Sequence, residues 1–193
     1  MKIIIINYGA GNIQSIQFAI QRLGYEAILS DDPKEIQSAD KVIFPGVGEA
    51  SSAMKKLKKS GLDKIIPTLT QPVLGICLGM QLLCNYTEEG KTAGLGIFDV
   101  NIVKFSNAVK VPQIGWNNIF DLKSELFSNV SNDEYMYLVH SFFAPKCAQT
   151  IALSHYDVQY SSALQKKNFF GVQFHPEKSG TIGAQILANF LKL

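Results

Sequence analysis

The sequence predicts an α/β fold with a mixed, mostly parallel central sheet, helices on both faces and added antiparallel strands. Three observations predict it. Strand and helix signals alternate through the first half, the strand-like runs there are continuously apolar, and the second half has strand-like runs with few helices between them. The 193 residues contain no internal repeat and no linker. A single domain over 1–193 is therefore expected.

The first half contains four short apolar runs of the kind that lie buried on both faces of a parallel sheet. These predicted strands cover 3–7, 27–29, 41–44 and 72–76. Helices are predicted between them, because apolar residues recur at helical spacing over 12–23, over about ten residues after Gly48, and from 80 to 84. Gly24 is placed to end the first of these helices.

The second half is dominated by strand signals. The predicted strands cover 97–105, 114–120, 135–143, 151–154 and 169–174. A final helix is predicted over 179–192, with Ser179 as its N-cap. Its apolar face would consist of Ile182, Ile186, Leu187 and Phe190.

Composition excludes several functional classes. The net charge is only +2 and Arg22 is the one arginine, which argues against a nucleic-acid-binding protein. Three cysteines without a C-x-x-C pair fit a reducing compartment, and no apolar stretch approaches membrane-spanning length, so a soluble cytoplasmic protein is expected. Histidine spacings typical of metal sites are absent, and Gly9-Ala10-Gly11 lacks the third glycine of a dinucleotide loop. No metal and no cofactor are expected.

The sharpest local motif is Gly75-Ile76-Cys77-Leu78-Gly79, between a predicted buried strand and a predicted helix. It is a nucleophile elbow with cysteine in the serine position. A tight strand-to-helix turn strains the nucleophile and leaves no room for side chains two residues either side of it, hence the glycines. The turn also places the sulfur at a helix N-terminus, which favours thiolate. The alternative is a buried structural cysteine between two incidental glycines.

A cysteine nucleophile needs a base and a group that orients the base. His175 follows the last apolar run, and Glu177 two residues later lies on the same side of an extended segment. Pro176 between them favours that extended geometry. An exposed turn is the alternative for this segment taken alone, whereas His140 and His155 fit structural, hydrogen-bonded roles.

Acyl transfer also needs donors for the developing oxyanion. Pro45-Gly46-Val47-Gly48 ends the third predicted strand, and the carboxyl ends of parallel strands meet at one sheet edge. The loop and Cys77 are therefore expected to be neighbours, with backbone N–H groups of Gly46, Val47 and Gly48 open to a substrate. The N–H of Leu78 is the other natural donor. An ordinary strand-ending turn is the alternative.

Together these motifs resemble the class I glutamine amidotransferases. Five segments are similar to one branch of that family, the glutaminase subunits of imidazole glycerol phosphate synthase: Asn-Tyr-Gly-Ala-Gly-Asn-Ile at 7–13, Pro-Gly-Val-Gly at 45–48, Val-Pro-Gln-Ile-Gly-Trp-Asn at 111–117, Val-His-Ser-Phe at 139–142 and His-Pro-Glu-Lys-Ser-Gly at 175–180. They occur in family order over the whole chain. The resemblance implies the family's three-layer, flavodoxin-like fold.

The resemblance also implies residue roles. Cys77 would attack the carboxamide of glutamine, His175 would move the protons, and Glu177 would hold His175, giving glutamate and ammonia through a thioester. Four residues match positions that hold the substrate glutamine: Gln81, Glu89, Ser141 and Phe142. The family passes ammonia to a (β/α)8-barrel cyclase partner, which forms imidazole glycerol phosphate and an aminoimidazole carboxamide ribotide in histidine biosynthesis. Interface positions match Asn12, Gln113, Trp116 and Lys178.

Two departures from the branch bear on the pathway. Gln113 stands where histidine is usual, and Phe142 stands where tyrosine is frequent. Some relatives feed ammonia to amidination of a surface-glycan sugar through a diverged barrel, and that pathway stays open for this chain. An inert partner-binding subunit on the same fold and a standalone cysteine hydrolase stay open as well.

Overall fold

A computed structural model describes residues 1–9 and 13–193. The strands are β1 (Ile3–Ile6), β2 (Ala27–Ser30), β3 (Lys41–Phe44), β4 (Val73–Ile76), β5 (Cys84–Thr87), β6 (Thr92–Ala93), β7 (Phe98–Lys104), β8 (Gln113–Ile119), β9 (Glu134–His140), β10 (Phe142–Pro145), β11 (Thr150–Tyr156), β12 (Val158–Lys166) and β13 (Phe169–Val172). The α-helices are α1 (Ile13–Arg22), α2 (Pro33–Gln37), α3 (Ala50–Ser60), α4 (Leu62–Ile65), α5 (Leu78–Leu82) and α6 (Gly180–Lys192).

Most of these strands form one mixed sheet of eleven strands in the order β2-β1-β3-β4-β13-β12-β10-β7-β5-β6, with β11 paired to β12. The half that runs from β2 to β13 is parallel throughout. Antiparallel pairs then connect β13 to β12, β12 to β10 and β10 to β7. The predicted combination of a parallel sheet with antiparallel additions is confirmed.

Helices cover both faces of the parallel half, as alternate residues of its buried strands dictate. Ile3 and Ile5 of β1 pack with residues of α1 and α6, whereas Ile4 and Ile6 pack with residues of α2, α3 and α4. Each face thus has its own apolar core, and the sheet is the middle of three layers. The carboxyl ends of β3, β4 and β13 meet at one edge, since β4 pairs in parallel with both neighbours.

Several predicted boundaries were wrong. The run 135–143 is two strands in different sheets, because β9 pairs with β8 in a separate two-stranded sheet while β10 joins the large one. The helix predicted over 80–84 is α5, which begins at Leu78, and Cys84 already belongs to β5. The short helix α2 and the nine-residue strand β12 were not predicted.

Buried hydroxyls explain why β12 escaped prediction. Ser161 and Ser162 lie at its centre and are fully buried, so the strand lacks the apolar run that marked the others. The Ser161 hydroxyl donates to the Pro145 carbonyl over 3.0 Å, and Ser162 pairs with the hydroxyl of Ser154. These partners satisfy the polar groups inside the sheet.

None of the helices in the described part of the chain is long and apolar enough to cross a membrane.

Candidate active site

Cys77 occupies the turn between β4 and α5. Its backbone has φ +54° and ψ −112°, a conformation that is rare for a residue with a side chain, and its N–H donates to the Val172 carbonyl over 2.8 Å. The strain and the hydrogen bond together define a nucleophile elbow. The predicted strand-elbow-helix geometry is thus present around Cys77.

The glycines of the elbow are required by close backbone packing. A Cβ at Gly79 would lie 2.0 Å from the Phe44 carbonyl oxygen at the end of β3, and one at Gly75 would lie 2.9 Å from Met80 N. Gly46 packs against the same turn, where a Cβ would lie 2.6 Å from Gly79 N. The elbow is therefore pressed directly against the loop that ends β3.

His175 and Glu177 lie together after β13. The imidazole Nδ1 of His175 is 2.8 Å from Oε1 of Glu177, and both side chains are buried. The backbone of this segment is also fixed: His175 N–H donates to the Tyr137 carbonyl over 2.9 Å, and the Ser179 hydroxyl donates to the His175 carbonyl over 2.7 Å. Ser179, expected only as the N-cap of the last helix, thus holds the histidine segment.

The charge state of His175 follows from its neighbours. Burial alone lowers its pKa, but hydrogen bonds to Cys77 and Glu177, together with their negative charges, outweigh burial and raise the pKa to about 10. The structure therefore favours an imidazolium beside Cys77. An imidazolium next to a cysteine sulfur favours the thiolate form of that cysteine.

A cavity of about 340 Å³ opens in front of Cys77. Its wall contains ten of the predicted site residues: Val47, Gly48, Cys77, Leu78, Gln81, Glu89, Ser141, Phe142, His175 and Lys178. Three further residues line it: Pro112, Val139 and His140. Residues separated by almost a hundred positions, Cys77 and His175, thus share one cavity.

The predicted oxyanion donors lie at two sides of the elbow. Leu78 N–H is at the first turn of α5, directly after Cys77. Gly48 has φ +97°, which a side chain would strain, and Val47 before it is exposed. Gly46 is buried and packs against the elbow, so its contribution is to bring the loop close.

The predicted glutamine-binding residues are held by hydrogen bonds from the protein. Gln81 donates through Nε2 to the Phe142 carbonyl and to Oε1 of Gln173, both over 2.9 Å. The Glu89 carboxylate accepts from Ala50 N–H over 2.9 Å, and burial raises its pKa above the ordinary value. These contacts position an amide and a carboxyl group at the cavity wall.

The residues predicted at a partner interface fall into two groups. Trp116 is 56% exposed, and the Lys178 ammonium is exposed over the Tyr137 ring, 5.8 Å from its centre. Gln113 differs from the prediction: it is buried and accepts a hydrogen bond from the Tyr160 hydroxyl over 3.1 Å, so it is not available at the surface. Asn12 lies outside the described residues.

Two residues of the site were not predicted as such. His140 lines the cavity, and its Nδ1 is 2.8 Å from the Phe142 carbonyl. Gln173 is fully buried, with Nε2 3.8 Å from the Cys77 sulfur. Gln173 lies two residues before His175 in the chain, and that proximity was the available signal. The available signals for His140 were its place in a predicted strand and in the Val-His-Ser-Phe segment at 139–142.

The described residues contain no cluster of three or more histidine, cysteine, aspartate or glutamate side chains that could hold a metal ion. The cysteine, the imidazole and the carboxylate at the cavity support covalent catalysis by a thiolate with an imidazole as acid and base.

Relatives of known name share this chain's full length. A protein named imidazole glycerol phosphate synthase subunit HisH from Bacteroides fragilis strain YCH46 is 51% identical over 196 residues, covering all of both chains. The protein of the same name from Buchnera aphidicola subsp. Schizaphis graminum is 47% identical over 198 residues, again covering all of both chains.

Solved structures share the fold at low identity. A putative GMP synthase protein from Thermoplasma acidophilum superposes with a TM-score of 0.76 at 20% identity, covering 100% of this chain and 92% of the other. PurLQS from Thermotoga maritima gives a TM-score of 0.74 at 16% identity, with 99% and 97% covered. The flavodoxin-like arrangement expected for class I amidotransferases is confirmed by these neighbours.

The family model for glutamine amidotransferase class-I matches residues 4–193. This match agrees with the Cys77 elbow, the His175–Glu177 pair and the cavity between them. The chain belongs to the class-I glutamine amidotransferase family, on the branch of the HisH subunits.

Proposed function

We propose that this chain is the glutaminase subunit of imidazole glycerol phosphate synthase, working in histidine biosynthesis. It hydrolyses glutamine to glutamate and passes the ammonia to a (β/α)8-barrel cyclase subunit. The observation that carries the proposal is the meeting of Cys77 with the buried His175–Glu177 pair at a 340 Å³ cavity. Full-length identity of 51% to a HisH subunit supports the pathway.

The reaction begins with the Cys77 sulfur and the His175 imidazole. The thiolate attacks the side-chain carbonyl carbon of glutamine, and the resulting tetrahedral intermediate collapses as His175 Nε2 gives its proton to the leaving nitrogen. Ammonia leaves and a glutamyl thioester remains on Cys77. His175 then takes a proton from water, the hydroxide attacks the thioester, and glutamate is released.

Glu177 and the oxyanion donors support these steps without bonding changes of their own. The Glu177 carboxylate, 2.8 Å from Nδ1, fixes the imidazole so that Nε2 faces the sulfur. Leu78 N–H and the peptide groups of Val47 and Gly48 would donate to the oxyanion. Because the 47–48 peptide is exposed and Gly48 has φ +97°, a rotation there would switch the second donor on when the partner is loaded.

Recognition of glutamine would use the two held groups at the cavity wall. Both N–H bonds of the Gln81 amide are used by Phe142 and Gln173, so Oε1 is the atom that remains to accept from the substrate ammonium. The Glu89 carboxylate would add charge complementarity. The backbone of Ser141 and Phe142 would form the wall alongside the substrate chain.

The partner would dock on the outer face of the β8–β9 sheet and beside Lys178. This face carries the exposed side chains of Ile114, Trp116 and Val139, with Ile114 opposite Val139 and Trp116 opposite the half-buried Tyr137. Aromatic anchors with a lysine at the rim are typical of protein interfaces. Sealed passage across such a face keeps ammonia unprotonated and away from water. Three free thiols agree with work in the cytoplasm.

Sugar amidination and an inert subunit are not supported by the relatives. The Bacteroides and Buchnera proteins are both HisH subunits, which supports the glutaminase of histidine biosynthesis.

The test is partner-dependent glutamate release from the assembled complex. Cys77→Ala should lower the rate by at least about 10³-fold, because the nucleophile is lost. Cys147→Ala, which removes a half-buried thiol away from the cavity wall, should leave the rate unchanged and is the matched control. With ammonium salt in place of glutamine, the Cys77→Ala complex should still form imidazole glycerol phosphate. An unchanged glutaminase rate in Cys77→Ala contradicts the proposal.

A further inference from the structure

Gln173 is a buried amide that contacts both Gln81 and the nucleophile, and the steps described above give it no role at the Cys77 sulfur. Its side chain is fully buried, and its backbone N–H donates to the Ser162 carbonyl over 2.8 Å. Its Nε2 lies 3.8 Å from the Cys77 sulfur, and its Oε1 accepts from Gln81 over 2.9 Å. Burying an amide destabilises the fold unless its NH₂ group faces an acceptor and its oxygen faces a donor. The contacts of Gln173 therefore indicate which way its amide is oriented.

Donor and acceptor roles along this row of groups are fixed by chemistry. The Phe142 carbonyl only accepts, so Gln81 must present its NH₂ group there, and the same NH₂ group meets Gln173. Gln173 must then present its oxygen to Gln81, which turns its own NH₂ group toward the sulfur. The Phe142 carbonyl thus orients the amide of Gln81, which orients the amide of Gln173. As a result, the Gln173 NH₂ group faces the Cys77 sulfur as a hydrogen-bond donor.

The sulfur has a different neighbour for each protonation state. The Val139 carbonyl, 3.9 Å away, can only accept and therefore suits the S–H form. The Gln173 NH₂ group can donate and therefore suits the thiolate. Both groups contact the sulfur, and Cys77 lines the cavity.

We propose that Gln173 is a positioning residue for the nucleophile: its NH₂ group stabilises the Cys77 thiolate and fixes the direction of attack. The proposal rests on the proposed function for its meaning in catalysis. The contact itself exists in the free chain, so the thiol can be probed without partner or substrate.

Other charged and titratable groups face the same sulfur and must be held constant. The imidazolium of His175 contacts it, and the phenol of Tyr8 is close enough for the Cys77 charge to add to the effect of burial in raising the pKa of Tyr8. The remaining ones at the cavity wall are Glu89, His140 and Lys178. A change at Gln173 alters none of these residues.

The experiment measures alkylation of Cys77 by iodoacetamide against pH, in the free full-length chain, by peptide mass spectrometry. Gln173→Met keeps length and burial but removes the donor. Loss of one such bond should raise the pH midpoint of alkylation by about one unit and lower the rate at neutral pH about tenfold. Cys147, alkylated in the same sample, is the internal control and should not change.

Gln173→Glu is the second variant, and it tests the proposal in case Gln173→Met does not fold. It keeps the acceptor for Gln81 but faces the sulfur with a carboxylate oxygen at alkaline pH, so the midpoint should rise further than in Gln173→Met. In the complex, Gln173→Glu, which keeps the acceptor for Gln81, should lower kcat for glutamine with little change in KM. An unchanged midpoint in a folded variant overturns the proposal, and so does a raised KM at constant kcat, which would assign Gln173 to the pocket wall through Gln81.

Failure of this proposal is distinguishable from failure of the proposed function. If Cys77→Ala abolishes glutamate release while the Gln173 variants keep the wild-type midpoint of alkylation and kcat, the glutaminase function is supported. The positioning role of Gln173 is then contradicted. If the midpoint of Cys77 alkylation moves in the Gln173 variants but the wild-type complex releases no glutamate, the contact between Gln173 and Cys77 is supported. The glutaminase function is then contradicted.

Discussion

His175 and His140 line the same cavity, yet their surroundings give them opposite properties. For His175, hydrogen bonds and charges from Cys77 and Glu177 outweigh burial and raise the pKa to about 10. For His140, burial dominates and lowers the pKa to about 4, because its Nδ1 meets only the neutral Phe142 carbonyl and a charged His175 lies nearby. Burial is thus common to both, and the partner group decides the charge.

The comparison separates a region built for proton transfer from a region built for support. The His175 region contains a carboxylate and a sulfur, two groups that exchange charge with an imidazole. The His140 region is an aromatic cluster, in which the His140 ring packs on Phe105 and Tyr160, and these two rings pack on Phe143. The two buried histidines therefore differ in pKa according to the group at Nδ1, which is a carboxylate for His175 and a main-chain carbonyl for His140.

The largest expected effect distinguishes the two rings by the same substitution. His175→Asn retains a donor toward Glu177 but has no Nε2, so glutamate release by the complex should fall about 10²–10⁴-fold. His140→Asn retains the donor to Phe142 and should lower the rate less than about tenfold. Steady-state assays of both variants measure this, and equal losses would remove the functional distinction.

A second change perturbs the elbow beside His175 and leaves both rings intact. Gly79→Ala forces a Cβ to within 2.0 Å of the Phe44 carbonyl oxygen and should lower the free energy of unfolding by about 3 kcal/mol. Gly61→Ala is the control, since Gly61 has φ +74° but open space around it, and should cost about 1 kcal/mol. Urea unfolding measures both, and comparable losses would mean that the elbow relaxes without cost.

The smallest expected effect is a pH dependence of stability. Because the folded pKa of His140 is about 4 and its ordinary value is 6.5, the unfolded chain binds more protons between these values. Stability from its neutral burial is complete above about pH 6.5 and decreases as the pH falls toward 4. Between pH 7 and pH 5 the loss should be about 2 kcal/mol.

Urea unfolding of wild type and His140→Asn at the two pH values isolates this contribution, since His175 titrates in both proteins. The raised pKa of His175 acts in the opposite sense, with stability present below about pH 6.5 and lost as the pH rises toward 10. A loss between pH 7 and pH 5 that is the same in both proteins would show that His140 is not the titrating group.

The sequence was most informative where chemistry is confined to a short segment. The elbow around Cys77 and the His175–Glu177 pair each lie within five residues, so a motif can state their geometry. Gln173 and His140 could not be assigned in this way, because their roles depend on contacts with residues distant in the chain, 96 positions away for Gln173 and Cys77.

The fold was predictable to the extent that burial coincides with apolar residues. β1, β3 and β4 are continuous apolar runs, whereas β12 is buried through hydroxyl pairs. The burial of Gln113 follows from register, because its pairing with His140 in β9 directs both side chains inward. The helix α2 did carry a local signal, Asp32 as N-cap before Pro33, but its five residues are too few to show a helical period.

The main chain of β9 is joined directly to the catalytic base. Tyr137 accepts from His175 N–H and, through its own N–H, donates to the Ser179 hydroxyl, while the outer face of the same strand is apolar and exposed. One side of β9 therefore faces solvent, and its main chain is hydrogen-bonded to the segment that carries His175. An inhibitor that bound this outer face and displaced β9 would disturb the catalytic base together with the cavity wall, to which β9 contributes Val139 and His140.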